Sequence, residues 1–168
     1  RLSVEKRGRE VNLLRSDDGA LSWTSTPIQL HDDIEADALR LPLEAIQLGD
    51  VAGLVYLGVH KGAPGRYYFT RSLDQGATWQ PGVPVTPPTK LDDVSRDVQL
   101  ASASGQLVFS YVEVAEDGPR RQRFMRSTVE GTEWTEVHMD EASLRGFVQL
   151  QGGPSLVLAG MRKLSEND

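Results

Sequence analysis

Ser72-Leu73-Asp74-Gln75-Gly76-Ala77-Thr78-Trp79 decides the fold, because the stretch recurs. With Arg71 ahead of it, it has one counterpart at Arg15-Ser16-Asp17-Asp18-Gly19-Ala20-Leu21-Ser22-Trp23 and another at Arg126-Ser127-Thr128-Val129-Glu130-Gly131-Thr132-Glu133-Trp134. The chain has three tryptophans, and all three close these segments, 56 and 55 residues apart (79 − 23 and 134 − 79). A period of that length signals an array of like supersecondary units.

Short segments of strand character flank each copy. Val11-Asn12-Leu13-Leu14, Arg66-Tyr67-Tyr68-Phe69-Thr70 and Arg121-Gln122-Arg123-Phe124-Met125 precede the Arg-Ser pairs. Pro27-Ile28-Gln29-Leu30, Val83-Pro84-Val85-Thr86 and Glu136-Val137-His138-Met139 follow the tryptophans. Two such segments joined by a Gly-containing polar turn form a hairpin. Each unit has two more apolar segments. The first reads Leu43–Leu48, Val98–Ala101 or Phe147–Leu150, and the second Leu54–Leu57, Leu107–Tyr111 or Leu156–Ala159.

Four short strands per unit without a helical period predict an all-β chain, a β-propeller of four-stranded antiparallel blades. Residues 24–79 and 80–134 are whole repeats, 1–23 the outer part of a blade and 135–168 the inner strands of one. That makes about three blades, short of the four to eight that usually close a ring. The chain is therefore expected to be part of a larger propeller or half of a six-bladed pair, with open sheet edges as the reason to associate.

Bulk properties exclude several classes of function. The net charge of −6 and pI near 5.1 leave no basic footprint for nucleic acid. No apolar run approaches the length of a membrane span. Without cysteine there is neither a disulfide nor a thiolate site. His31, His60 and His138 have no companions at metal-ligand spacing, and no phosphate-cradling loop or nucleophile elbow is present, so no metal or cofactor is expected. The chain opens at Arg1 without a basic-then-apolar leader, which reads as a processed protein or an excised piece.

The segment Ser72–Trp79 matches the Asp-box, Ser-x-Asp-x-Gly-x-Thr-Trp, at every defined position. The chain thus resembles the sialidase-like Asp-box β-propellers, built of bacterial neuraminidase repeats. The first copy keeps Ser16, Asp18 and Trp23 but has Ala20 for Gly and Ser22 for Thr; the third keeps Ser127, Gly131 and Trp134 but has Val129 for Asp. Ser72, Asp74, Gly76, Thr78, Trp79 and their counterparts read as turn-holders: Asp accepts backbone N–H bonds, Gly takes a positive φ, and Trp packs on the hairpin base. Val129 implies that the third turn dispenses with its carboxylate bonds.

The repeat also brings three arginines into comparable places. Arg40, Arg96 and Arg145 stand 17, 17 and 11 residues after the preceding Trp (40 − 23, 96 − 79, 145 − 134), each with acids just before it. At the start of inner strands they would converge on the axial opening, where planar guanidinium forks suit a carboxylate ligand. Pairing with the neighbouring acids is the plainer reading. Sialidases, by resemblance, grip their sugar's carboxylate with three arginines, and Leu39-Arg40-Leu41-Pro42 shares the Arg-x-Pro of one of their motifs. The resemblance further implies a tyrosine nucleophile with a carboxylate helper and an acid. Tyr111 and Glu113, two apart on one strand, and Asp50 in a turn are the candidates.

No complete catalytic set assembles from the sequence. The expected function is a non-catalytic sialidase-like module that binds a glycan or protein ligand through its axial face and loops. The alternative is an exo-glycosidase of the sialidase type. A secreted or periplasmic location is implied by the resemblance only.

Overall fold

Every described element is a strand, and the sequence explains most of them. The computed structural model describes residues 2–7, 10–31, 34, 39–48, 51–58, 65–88, 98–114, 120–138, 149–151 and 157–159. The strands are β1 (Leu2–Arg7), β2 (Glu10–Arg15), β3 (Thr24–Pro27), β4 (Leu39–Leu48), β5 (Val51–Gly58), β6 (Arg66–Ser72), β7 (Val83–Pro84), β8 (Gln99–Ala103), β9 (Gln106–Val114), β10 (Arg120–Thr128), β11 (Thr135–Val137), β12 (Gln149–Gln151) and β13 (Val157–Ala159). They form four sheets, ordered β1-β2-β3, β4-β5-β6-β7, β8-β9-β10-β11 and β12-β13. The described pairings are antiparallel. Among the described residues no helix is long and apolar enough to cross a membrane.

The chain divides into two compact units, Arg1–Pro88 and Thr89–Asp168. Both four-stranded sheets repeat one scheme, with the Arg-Ser segment closing the third strand and the Trp leading toward the fourth. β1 is the element the sequence pattern does not announce, because Glu5, Lys6 and Arg7 interrupt its apolar alternation. It pairs with β2 from Leu2↔Arg15 to Arg7↔Glu10, as β5 pairs with β6. The strand after Trp23 also begins earlier than Pro27, at Thr24, where it pairs with Arg15.

In the first unit the sheet β1–β3 packs on the sheet β4–β7. Val11 and Leu13 of β2, with Ile28 and Ile34, meet Ala52, Leu54 and Tyr56 of β5, Tyr68 of β6 and Trp79 in one apolar cluster. Residues 52, 54 and 56 share a face because strand side chains alternate. β5 is buried along both faces from Ala52 to Gly58, which fits its near-continuous apolar run. Removing such surface from water stabilises the packing of the two sheets by roughly 25 cal/mol per Å² of apolar area buried. In the second unit Leu107, Phe109, Tyr111, Phe124 and Met125 are buried. Its β8–β9 hairpin turns on Ser104 (φ 50°) and Gly105 (φ 74°), the two left-handed residues that a tight hairpin loop needs.

Candidate functional site

The repeated turns are closed hydrogen-bond systems. In the second box the Ser72 hydroxyl donates to Asp74 Oδ1 (2.7 Å) and accepts from the Gly76 N–H (2.6 Å). The Thr78 N–H and hydroxyl donate to the two Asp74 oxygens at 2.8 and 2.7 Å. The first box repeats this with Ser16, Asp18 and Ser22: the Ser22 N–H lies 2.9 Å from Asp18 Oδ1 and its hydroxyl 2.6 Å from Oδ2. Bonds from Ser22 and Ser16 hold the Asp18 carboxyl down at about 2. Those from the Thr78 N–H, Ser72 and the Thr78 hydroxyl hold Asp74 down at about 2. Carboxylates so committed to donors are poor bases.

The third box lacks that system. With Val129 in the place of the carboxylate, the Ser127 hydroxyl donates instead to the Glu133 carbonyl (2.5 Å). The Gly131 N–H closes on the Thr128 carbonyl (2.9 Å), and the Trp134 indole N–H donates to the Gly131 carbonyl (3.1 Å). The tryptophans differ in their surroundings: Trp79 is 7% exposed beneath the sheet β1–β3, whereas Trp23 is 41% exposed.

Tyr111 and Glu113 lie on β9 and face an arginine. Arg123, the cross-strand partner of Tyr111, donates through Nε to Glu113 Oε2 (2.8 Å) and through Nη1 to Glu136 Oε1 (3.0 Å). The guanidinium also lies 2.7 Å from Glu113 Oε2 through Nη2. Tyr111 is 3% exposed and stacks on Phe109 with ring centroids 5.8 Å apart. Burial, reinforced by Glu113 and Glu136, pushes its phenol up to about 12. By register Tyr111 is the counterpart of Tyr56, since Leu107 faces Ser127 as Ala52 faces Ser72. Tyr56 is also buried, stacks on Tyr68 and accepts the His31 backbone N–H (2.7 Å). Tyrosine at this place is a repeated core residue.

Of the three arginines, Arg40 has a described backbone. On β4 it pairs with Leu57 of β5, and the register shifts between Arg40 and Leu43, so that the Arg-x-Pro segment forms a bulge. Pro42 has no N–H to give the ladder, which accounts for the irregularity. Arg96, Arg145 and Asp50 lie outside the described residues.

Sequence reasoning missed Glu44 on the same strand. It pairs with Val55, is half-buried, and its carboxyl is raised above the ordinary value by burial. The available signal was a lone acid in the apolar run Leu43-Glu44-Ala45-Ile46. Among the described residues no group of three or more His, Cys, Asp or Glu could hold a metal ion.

Neither a protein-family model nor any curated protein matches the sequence. Solved structures do resemble it. The NanB sialidase of Streptococcus pneumoniae (K499G mutant) aligns over 80% of this chain and 20% of its own, with a TM-score of 0.56 and 14% identity. The Hadza microbial sialidase Hz136 aligns over 82% of this chain and 26% of its own, with a TM-score of 0.57 and 21% identity. The catalytic domain of the Coprinopsis cinerea GH62 α-L-arabinofuranosidase aligns over 83% and 46%, with a TM-score of 0.51 and 13% identity. The chain thus spans between a fifth and under half of these structures. At such identities the likeness is one of fold alone: this chain is all-β and built of antiparallel sheets, as these structures are.

Proposed function

We propose that the sheets are successive blades of an Asp-box β-propeller, and that the chain is a non-catalytic module binding a glycan or protein ligand through its axial face and loops. The observation that carries this reading is the environment of Tyr111. A nucleophilic tyrosine needs an accessible oxygen and a free carboxylate to take its proton. Tyr111 is buried with a raised phenol, and Glu113 is held by Arg123. The Asp-box carboxylates are likewise committed to their turns. In this reading Arg40, Arg96 and Arg145 form the ligand-binding set, and an acidic sugar or an acidic peptide is the chemistry they suit. The ring is completed by further blades of a larger protein or by self-association.

A second reading, an exo-glycosidase acting on acidic sugars, is favoured by the sialidases among the similar structures and by β4 itself. There a bulged Arg-x-Pro stands four residues from a half-buried carboxyl, Glu44, whose hold on its proton is strengthened by burial, the direction an acid catalyst needs.

One experiment separates the two. Hydrolysis of a fluorogenic sialoside is followed for the wild type, Arg96→Ala and Glu44→Gln, beside sialyllactose binding by saturation-transfer NMR. Binding without turnover, weakened in Arg96→Ala, is the expected result. Turnover abolished by Arg96→Ala or Glu44→Gln would overturn the non-catalytic reading.

A further inference from the structure

The arginine of the Arg-Ser pair has a use that the Asp-box does not explain. In the first unit Arg15, steadied by Asp17 (Nε to Oδ1, 2.8 Å), crosses from the first box to the second and donates through Nη1 to the Gln75 carbonyl (2.9 Å). Leu13, two residues earlier, presses on Gly76, so closely that a Cβ there would lie 2.7 Å from its Cδ2. Trp79 is buried beneath the same contact. Sheet-to-sheet docking in the first unit is thus a turn-to-turn joint: an arginine from one box, the fourth-position carbonyl and the closing tryptophan of the next.

Both halves of that joint occur again, unused. The donor half is Arg126, which is exposed and has no partner among the described residues. The acceptor half is the first box. Gly19, the counterpart of Gln75, is exposed and its carbonyl accepts no described hydrogen bond. Trp23 beside it is 41% exposed and Leu21 is 89% exposed, a large apolar surface for one short turn. Asp17 is paired with Arg15, but the Asp18 carboxylate leaves the acceptor turn with negative charge, complementary to a guanidinium.

We infer that copies of this chain associate head-to-tail, with Arg126 of one copy on the Gly19 carbonyl of a second and Trp23 covered by the joint. The internal contact between Arg15 and Gln75 is the template for it. The seat that Gly76 offers to Leu13 is partly filled at the first box by the Ala20 methyl, so the intermolecular joint is shallower than the internal one. Being heterologous, it closes a ring or extends a chain rather than pairing a surface with itself. The inference rests on the equivalence of the boxes and is independent of whether the module binds glycan.

Sedimentation velocity at about 100 µM, above micromolar dissociation constants, is the test. The wild type is expected to associate beyond the 18.5 kDa monomer. Arg126→Glu and Trp23→Asp are each expected to weaken association more than about tenfold, as loss of a central anchor does. Leu21→Asp, at a side chain that cannot disturb the core, is the second variant on the acceptor face. The decisive sample is the equimolar mixture of Arg126→Glu with Trp23→Asp or Leu21→Asp. Each variant keeps the face the other lacks, so the mixture recovers a two-copy species. A monomeric wild type, undiminished association in the variants, or a mixture of folded variants that stays monomeric would each overturn the inference.

Discussion

Replacing Gly76 by Ala should cost far more than the same chemistry costs at position 20, where the equivalent residue is already Ala. Two penalties act at Gly76. Its φ of +92° is one that an L-residue adopts at a cost of roughly 1–2 kcal/mol. The new Cβ would also stand 2.7 Å from Leu13 Cδ2. Leu13 is buried in the cluster between the two sheets, so it can yield only by disturbing Val11, Leu54 and Trp79. Overpacking of that kind costs roughly 1–3 kcal/mol. The reduced freedom of the unfolded chain returns about 0.4–1 kcal/mol. The net loss is about 1–4.5 kcal/mol, or about 2–18 °C in Tm for a chain of this size.

Ala20 occupies the same turn position with φ +73°. Ala20→Gly relieves the strain but frees the unfolded chain, for a net gain of about 0–1.6 kcal/mol. Urea unfolding followed by circular dichroism measures both, with an unchanged m-value as the check that only stability has moved. Leu13→Val in the Gly76→Ala background should recover part of the loss, a coupling that independent sites do not show. If Gly76→Ala is as stable as the wild type, or Ala20→Gly is destabilising, the account of the inter-sheet seat is wrong.

Two predictions concern pH. Asp18 and Asp74 are lowered to about 2, so the stability they lend is complete above the ordinary carboxylate value and is lost as pH falls toward 2. Asp74→Asn should lower stability at pH 7 and flatten the acid limb of a Tm–pH profile; an unaltered limb would assign acid unfolding to other groups. Glu44 has the opposite sign. Its raised value means the folded state holds the proton more tightly, so stability declines as pH rises from the ordinary glutamate value through the folded one. Glu44→Gln should therefore raise Tm at pH 7 and leave it nearly unchanged at pH 4, and an equal shift at both would show that charge burial is not the cause.

The sequence by itself determined the all-β class, the strand pairs around each box and the turn bonds of the Ser, Asp and Thr or Ser in the first two boxes. These are local facts: a Ser, an Asp and a Thr or Ser within seven residues can satisfy a turn's N–H groups with no help from elsewhere. Val129 likewise marks the third turn as one without carboxylate bonds, though not the carbonyl that Ser127 takes instead. The pattern missed β1, whose charged residues hide its alternation and whose strand character comes from pairing with β2. It also could not grade the three tryptophans, identical in motif, because only sheet packing buries Trp79 and leaves Trp23 open.

The candidate site was less legible for the same reason. Tyr111 and Glu113 share a strand face as their spacing requires, yet Arg123, which claims Glu113, comes from a neighbouring strand. The raised carboxyl of Glu44 arises from burial, and the bulge at Pro42 appears only once β4 has a partner to fall out of register with. Hydrogen bonds within a turn are written in one short stretch of chain. Burial, cross-strand ion pairs and the seat of Leu13 on Gly76 depend on segments far apart in sequence, so only the tertiary structure could decide them.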